Sequence, residues 1–302
     1  MATSGLNTTG ILSRVTVAAI TAALVATTTS AIAADKAPSA ERATKPAPSA
    51  SAFSTEAAAD APVNALYGVN SSGTMYGYPP NGEGGLDAKL EVGYGWNYAK
   101  QMTQVDHDAD GSADGLWSVT DGTLQYTAWG VDPVNIGTGW GQYNKVTSAG
   151  NLGGAAADDL LARDNAGNLY LYLGYGNGKL TSRKLVGGGW GAYNQITGKG
   201  DLTGDGKADI VARDGAGNLY LYKGTGSTTS PFSAKVKIGG GWNMFNNLVS
   251  VGDVDIDGIT DLIARGTDGA LYLYKGTGNA VGTFKPRVSI GSSGWNTYRL
   301  LF

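Results

Sequence analysis

The dipeptide Gly-Trp recurs down the chain, in GYGWNYA, GTGWGQY, GGGWGAY, GGGWNMF and SSGWNTY. It places Trp96, Trp140, Trp190, Trp242 and Trp295 at separations of 44, 50, 52 and 53 residues. Self-similarity at such a period constrains the fold more than any other feature. Each repeat is one supersecondary unit that buries its apolar face only by stacking on the next. The order inside a repeat is constant. After the tryptophan comes an aromatic (Tyr143, Tyr193, Phe245, Tyr298), then an acidic or degenerate loop, then DLLAR, DIVAR or DLIAR. A tight turn, the run LYLY and a glycine-rich stretch lead to the next tryptophan.

These runs predict four short strands per repeat. LYLY alternates with period two, as a strand with two different faces does. Val, Ile, Leu and Tyr fill the runs, and Gly, Asn, Asp and Thr fill the joints. Repeated four-stranded units predict an all-β fold, a five-bladed β-propeller. Five follows from the chain ends. Residues 65–78 match the second and third strands of a repeat, and 298–302 match only the first. The two ends are therefore expected to build one blade together and close the ring, which removes the unpaired edge. The other blades are expected over 97–138, 141–188, 191–240 and 243–293.

The repeats begin late. Residues 1–34 have the form of a secretory signal: Arg14, an apolar run from Val15 to Val25, and Ala31-Ile32-Ala33 as the cleavage site. A secreted protein, cleaved near Ala33, is the expectation, with no stable membrane insertion because the apolar run is too short. Residues 35–62, rich in Ala, Pro and Ser, are expected to be a disordered linker or leader. The propeller is expected over 63–302. The chain has no cysteine, which rules out disulfides, thiolate metal sites and thiol catalysis. From residue 63 on, 18 basic residues face 21 acidic ones. The bases are scattered, which is not a nucleic-acid footprint.

The acids are concentrated. Aligned by repeat, the loops are DHDADGSAD (106–114), NLGGAAADD (151–159), DLTGDGKAD (201–209) and DVDIDGITD (253–261). A hard cation takes six to eight oxygens, and alternate residues of a tight loop can supply them. About three calcium sites are therefore expected. Their ligands are Asp106, Asp108, Asp110, Ser112 and Asp114; Asp201, Thr203, Asp205, Lys207 and Asp209; and Asp253, Asp255, Asp257, Ile259 and Asp261. The residue at position 7 offers its backbone carbonyl. Position 6 is glycine in all three loops (Gly111, Gly206, Gly258). Position 12 holds Trp117, Ala212 or Ala264 and not glutamate, so these are not EF-hands. The loop at 151 has lost the pattern. His107, the only histidine, aligns with Leu202 and Val254 and is incidental to the loop.

Two family resemblances attach to these residues. The acidic loop followed by D-hydrophobic-x-A-R, over 106–275, resembles FG-GAP or VCBS repeats, the calcium-binding propeller blades of integrin α-subunits and exported bacterial proteins. The GGW-x-x-F/Y motif, the ending SSGWNTYRLLF and the five-fold count, over 65–302, resemble the tachylectin family of five-bladed sugar-binding propellers. The chain departs from both, since integrin propellers have seven blades and tachylectin blades lack calcium loops.

The resemblance implies a non-catalytic binding module, lectin-like, with carbohydrate held in rim pockets between blades. Candidates are the five tryptophans with Arg163, Asp164, Asn168, Arg213, Asp214, Asn218, Arg265 and Asp268. Packing between blades for the tryptophans, and a structural salt bridge to the adjacent blade for the arginines, is the competing expectation. Val69 and Ser118 align at the arginine position in the first two blades, which predicts unequal sites. An adhesion or protein-interaction scaffold is the alternative, so the expected partners are glycans or cell-surface and secreted proteins. Catalysis is disfavoured: the single histidine lies in a metal loop, and only Glu83 and Glu91 remain as glutamates after residue 62.

Overall fold

The structure is a computed structural model and describes residues 61–154 and 156–302. The signal and most of the linker expected from the sequence lie outside the described residues. Among the described residues no helix is long and apolar enough to cross a membrane.

Five four-stranded antiparallel sheets form the blades. Blade 1 orders its strands Tyr298–Leu301, Leu66–Asn70, Met75–Tyr78 and Leu90–Gly93. Blade 2 has Ala99–Val105, Gly115–Thr120, Thr123–Ala128 and Val134–Thr138. Blade 3 has Tyr143–Gly150, Asp159–Asp164, Leu169–Tyr172 and Lys184–Gly187. Blade 4 has Tyr193–Thr197, Ile210–Asp214, Leu219–Tyr222 and Val236–Gly239. Blade 5 has Phe245–Val249, Leu262–Gly266, Leu271–Tyr274 and Val288–Gly291. The fold, the count and the closing blade are those expected. Gly68 pairs with Leu301 and Val69 with Leu300, and Tyr67 and Phe302 exchange backbone hydrogen bonds of 2.9 and 3.0 Å. Gly68 is required at this seam, because a Cβ there would lie 2.7 Å from the Tyr298 ring.

The Gly-Trp repeat has a backbone cause. Gly95, Gly139, Gly189, Gly241 and Gly294 all have φ between 79° and 89° and start a one-turn 3-10 helix at the tryptophan. That left-handed conformation favours glycine. The turn swings the chain from the outer strand of one blade to the first strand of the next. First strands of neighbouring blades meet at the axis, where Ser148 N–H donates to Thr103 Oγ1 at 2.9 Å and Ser250 N–H to Thr197 Oγ1 at 3.3 Å.

The core lies between blades. Leu161, Leu169 and Leu171 of blade 3 pack with Tyr193, Ile196, Ile210 and Ala212 of blade 4 and with Trp190, which joins the two. The alternation in LYLY is thereby explained. Its leucines are fully buried against the following blade, and its tyrosines are half-buried against the preceding one. The tyrosine pairs close on each other, as in Tyr143 Oη to Tyr172 Oη at 2.6 Å and Tyr193 Oη to Tyr222 Oη at 2.7 Å.

Two boundaries differ from the sequence reading. Pro62, assigned to the linker, belongs to the propeller. Its carbonyl accepts from Asp253 N–H at 2.7 Å, while Val63 N–H donates to Gly111 O and Asn64 N–H to Val251 O. The arginine position in blade 2 is held by Val119 and not by Ser118. Val119 pairs with Leu124 as Arg163 pairs with Leu169. The hairpin Asp121-Gly122 is one residue tighter than its counterparts, with φ of 48° and 74°, so one more residue joins the strand and alignment by residue count slips by one, while Trp117 packs toward blade 3 as Leu161 packs toward blade 4.

Candidate functional site

The acidic loops connect the first and second strands. In the loops at 106 and 253 the carboxylate oxygens of Asp106, Asp108 and Asp114, and of Asp253, Asp255 and Asp261, lie within 4.8 Å of one another. The first aspartate shapes each turn. Asp106 accepts from the N–H groups of Asp108, Ala109 and Gly111. Asp201 accepts from Thr203, Gly204 and Gly206, and Asp253 from Asp257 and Gly258. The aspartate at position 5 accepts from the N–H at position 7: Asp110 from Ser112, Asp205 from Lys207, Asp257 from Ile259.

The last aspartate staples the blade. Asp209 and Asp261 are fully buried. Asp209 accepts from Leu202 and Gly224, Asp261 from Val254 and Gly276, and each thus ties the loop to the end of the third strand. Burial pushes the Asp209 carboxyl up to about 6, with the Asp201 charge adding to it. Burial, then the Asp255 and Asp253 charges, push Asp261 up to about 7. A carboxylate so placed is stabilised by a nearby cation. Lysines supply part of that charge: Lys223 Nζ lies 3.1 Å from Asp205, and Lys275 Nζ 2.7 Å from Asp255. The other oxygen of Asp255 is buried without a partner. An all-oxygen donor set with an orphaned carboxylate oxygen fits a hard divalent cation.

The loop at 151 folds without that chemistry. Asn151 Oδ1 accepts from Gly153 and Gly154, and Asp159 from Leu152, Gly153 and Gly174. Beside it Asp158 and Lys199, both buried, pair at 2.5 Å. Asp158 also accepts from Asp106 N–H at 3.0 Å, so this loop leans on the complete one next to it. Lys199, Asp158, Asp106, Asp201 and Pro62 line a cavity of about 310 Å³ on this face. His107 packs on Tyr126 and Trp117 at 4.9 and 5.9 Å between ring centroids, and burial lowers its pKa.

On the opposite ends of the strands the tryptophans and arginines have structural work. Trp96, Trp140, Trp190, Trp242 and Trp295 are 6–8% exposed and do not offer a face to a ligand. Arg163 donates to Asn144 Oδ1 in its own blade and to the carbonyls of Trp190 and Tyr193 in the next. Arg213 treats Asn194, Trp242 and Phe245 alike, and Arg265 treats Asn246, Trp295 and Tyr298 alike. The partners are backbone carbonyls and not carboxylates, so the arginines clip blades without forming ion pairs. Blade 1 has Val69 at this register, and Arg299 of its first strand reaches the carbonyls of Trp96 and Ala99 instead.

A different cluster lies at the turn from the second to the third strand. Asp164 accepts from both nitrogens of Asn168 and from Tyr170 Oη, and Asp214 likewise from Asn218 and Tyr220. The asparagine bonds hold both carboxyls below the usual carboxylate range. Over Tyr170 lies the Arg183 guanidinium at 4.5 Å, and over Tyr220 the Lys235 ammonium at 4.4 Å. Asp268 does not join such a group: its carboxylate accepts from Ala270 N–H, and Gly266 stands where Asp164 and Asp214 stand. The tyrosines and their cations escaped the sequence reading. The signal that could have found them is a basic residue seven or eight positions before each Trp other than Trp140.

The family model of the FG-GAP-like repeat matches residues 156–212 and 201–264, from the second strand of blade 3 into the second strand of blade 5. No curated protein matches the chain in sequence. Among solved structures, a symmetrical protein whose de novo evolutionary emergence is described as shaped by folding constraints superposes with a TM-score of 0.55. It shows 15% identity over 79% of this chain and 97% of that one. That likeness concerns the fold alone. An Agrocybe aegerita lectin that recognises non-reducing terminal N-acetylglucosamine gives a TM-score of 0.44 at 18% identity, over 76% of this chain and 64% of that one. The BP39L lectin of Burkholderia pseudomallei gives 0.48 at 15%, over 76% and 70%.

Proposed function

We propose that this propeller is an exported, calcium-stabilised and non-catalytic binding module that takes carbohydrate in the rim clefts between blades. The observation that carries this is the repeated cluster Asp164, Asn168, Tyr170 and Arg183 in blade 3 and Asp214, Asn218, Tyr220 and Lys235 in blade 4. Carboxylate and amide groups held against each other accept and donate to vicinal hydroxyls. A half-buried phenol beside them offers an apolar edge to sugar C–H groups. Several shallow sites on one rigid ring suit a polymeric ligand, because avidity then offsets weak single-site affinity.

Calcium, bound by the loops at 106, 201 and 253, would supply positive charge among carboxylates that otherwise repel. The chain's own contribution is the turn geometry that gathers the oxygens. The loops sit away from the clefts, so this role is structural.

A glycan array probed with the full chain in calcium tests the reading. Binding to at least one glycan class, lost in the variant Asp164→Ala/Asp214→Ala, is expected. No binding to any glycan, together with capture of one defined secreted protein undisturbed by free sugars, would replace it with a protein-adhesion scaffold.

A further inference from the structure

Four blades share one feature that sugar hydroxyls do not require. Lys89 lies over Tyr76 at 4.6 Å, Arg183 over Tyr170 at 4.5 Å, Lys235 over Tyr220 at 4.4 Å and Arg287 over Tyr272 at 4.7 Å. Each cation is the residue just before the outer strand of its blade, and each tyrosine is the second residue of the third strand. The segments between those strands differ in length, with 11 residues at 79–89 and 173–183 and 13 at 223–235 and 275–287. The cation keeps its place regardless. Blade 2 has neither partner: Pro133 precedes its outer strand, and Gln125 stands at the tyrosine register, bonded to Asn135.

These cations are exposed, and among the described residues none forms an ion pair with a carboxylate. Three of them are also tethered by a hydrogen bond. Arg183 donates to Tyr143 Oη at 2.7 Å, Lys235 to Tyr193 Oη at 2.8 Å, and Arg287 to Met244 Sδ at 3.0 Å. Asp164 and Asp214 are held by asparagine and tyrosine and do not neutralise these cations by ion pairs. A neutral side chain of equal length would cover the ring as well. What the four positions have in common is a preorganised positive charge with donors left over, which is what an anionic group needs.

Resting on the carbohydrate reading above, we infer that the four stacked cations make this propeller selective for acidic polysaccharide, whose repeating carboxylate or sulfate groups bridge successive clefts. The neutral face of each site orients the sugar ring, and the cation selects the charged one. Blade 2 provides no such contact, so the charged arc spans four blades.

Calorimetry on the full chain in calcium tests this with a hyaluronan decasaccharide, a heparin decasaccharide and the same hyaluronan with its carboxyls reduced to alcohols. At least one anionic probe is expected to bind about tenfold or more tighter than the reduced one, weakening with added salt. The variant Lys89→Gln/Arg183→Gln/Lys235→Gln/Arg287→Gln is expected to lose that preference while keeping its melting temperature in calcium. Should it not fold, Gln125→Tyr/Pro133→Arg, which adds the missing pair to blade 2, is expected to tighten anionic binding. Preference for hyaluronan assigns the contact to carboxylates, and preference for heparin assigns it to sulfates. Equal binding of charged and reduced probes overturns the inference and leaves the carbohydrate reading standing. An anionic preference unmoved by either variant overturns it too. Failure of every glycan on the array defeats the underlying reading instead.

Discussion

Arg213 donates through Nη1 to the carbonyl of Trp242 at 2.9 Å, from one blade to the entrance of the next. The same nitrogen reaches the Phe245 carbonyl, and Nε donates to Asn194 at 2.8 Å. Hydrogen bonds from a charged donor contribute roughly 1.5–3 kcal/mol, and stranding buried carbonyls adds to their loss. Arg213→Ala is therefore expected to destabilise by about 2–4 kcal/mol. Arg213→Lys should not rescue it, because a lysine cannot span Asn194 and two carbonyls with one planar fork. Urea unfolding in calcium checks this, and wild-type stability in the lysine variant would refute the clip.

Calcium should raise the melting temperature and EGTA lower it. A ligand at a hundred times its dissociation constant stabilises by about 2.7 kcal/mol per site. Asp255→Ala removes a ligand without touching the Asp261 staple, so equilibrium dialysis is expected to count three ions in the wild type and two in the variant. A melting curve indifferent to calcium would remove the metal from the account.

The buried pair of Lys199 and Asp158, 2.5 Å apart, predicts a strongly non-additive cycle. Lys199→Met alone leaves a carboxylate buried and unpaired and should cost about 3–5 kcal/mol. Lys199→Met/Asp158→Asn should recover much of that loss. Denaturant midpoints of the four proteins measure the coupling, and simple additivity would count against the pair.

Lys145 occupies the register of Gln101 and Gln195, which donate to the carbonyls of Tyr143 and Asn246 in the blades that follow. Desolvation, then the Arg163 charge, push the Lys145 ammonium down to about 8 from its ordinary 10.5. A lysine pKa lowered on folding costs stability in full below the folded value, and the cost disappears as pH rises to the unfolded value. Lys145→Gln is thus expected to stabilise at pH 7 by about 1–2 kcal/mol through removed desolvation and a regained hydrogen bond. The advantage should shrink between pH 8 and 10.5. Thermal melts of both proteins across that range test it, and a constant difference would show that titration is not involved.

Much of this protein was legible without coordinates, because its instructions are local and repeated. A glycine at positive φ before each tryptophan, a period-two LYLY and a chain that begins mid-repeat suffice to state five blades and a shared closing sheet. The loop spacing likewise stated that carboxylates gather at positions 1, 3 and 9 of the loops at 106 and 253, since a nine-residue turn is set by its own residues. A link to the next blade was among the expectations for Arg163, Arg213 and Arg265, but their partners were not legible, because these are backbone carbonyls about 30 residues away, and a carbonyl carries no residue signature.

The misplaced register at Ser118 has a similar origin: a hairpin one residue tighter slips alignment by residue count, which does not show which residue pairs across the sheet. Blade number and the seam thus came from the sequence alone. Tertiary structure decided which side chains are spent holding blades together and which stay free at the rim. Exposure and partnership depend on residues of the neighbouring blade, brought near only when the ring closes.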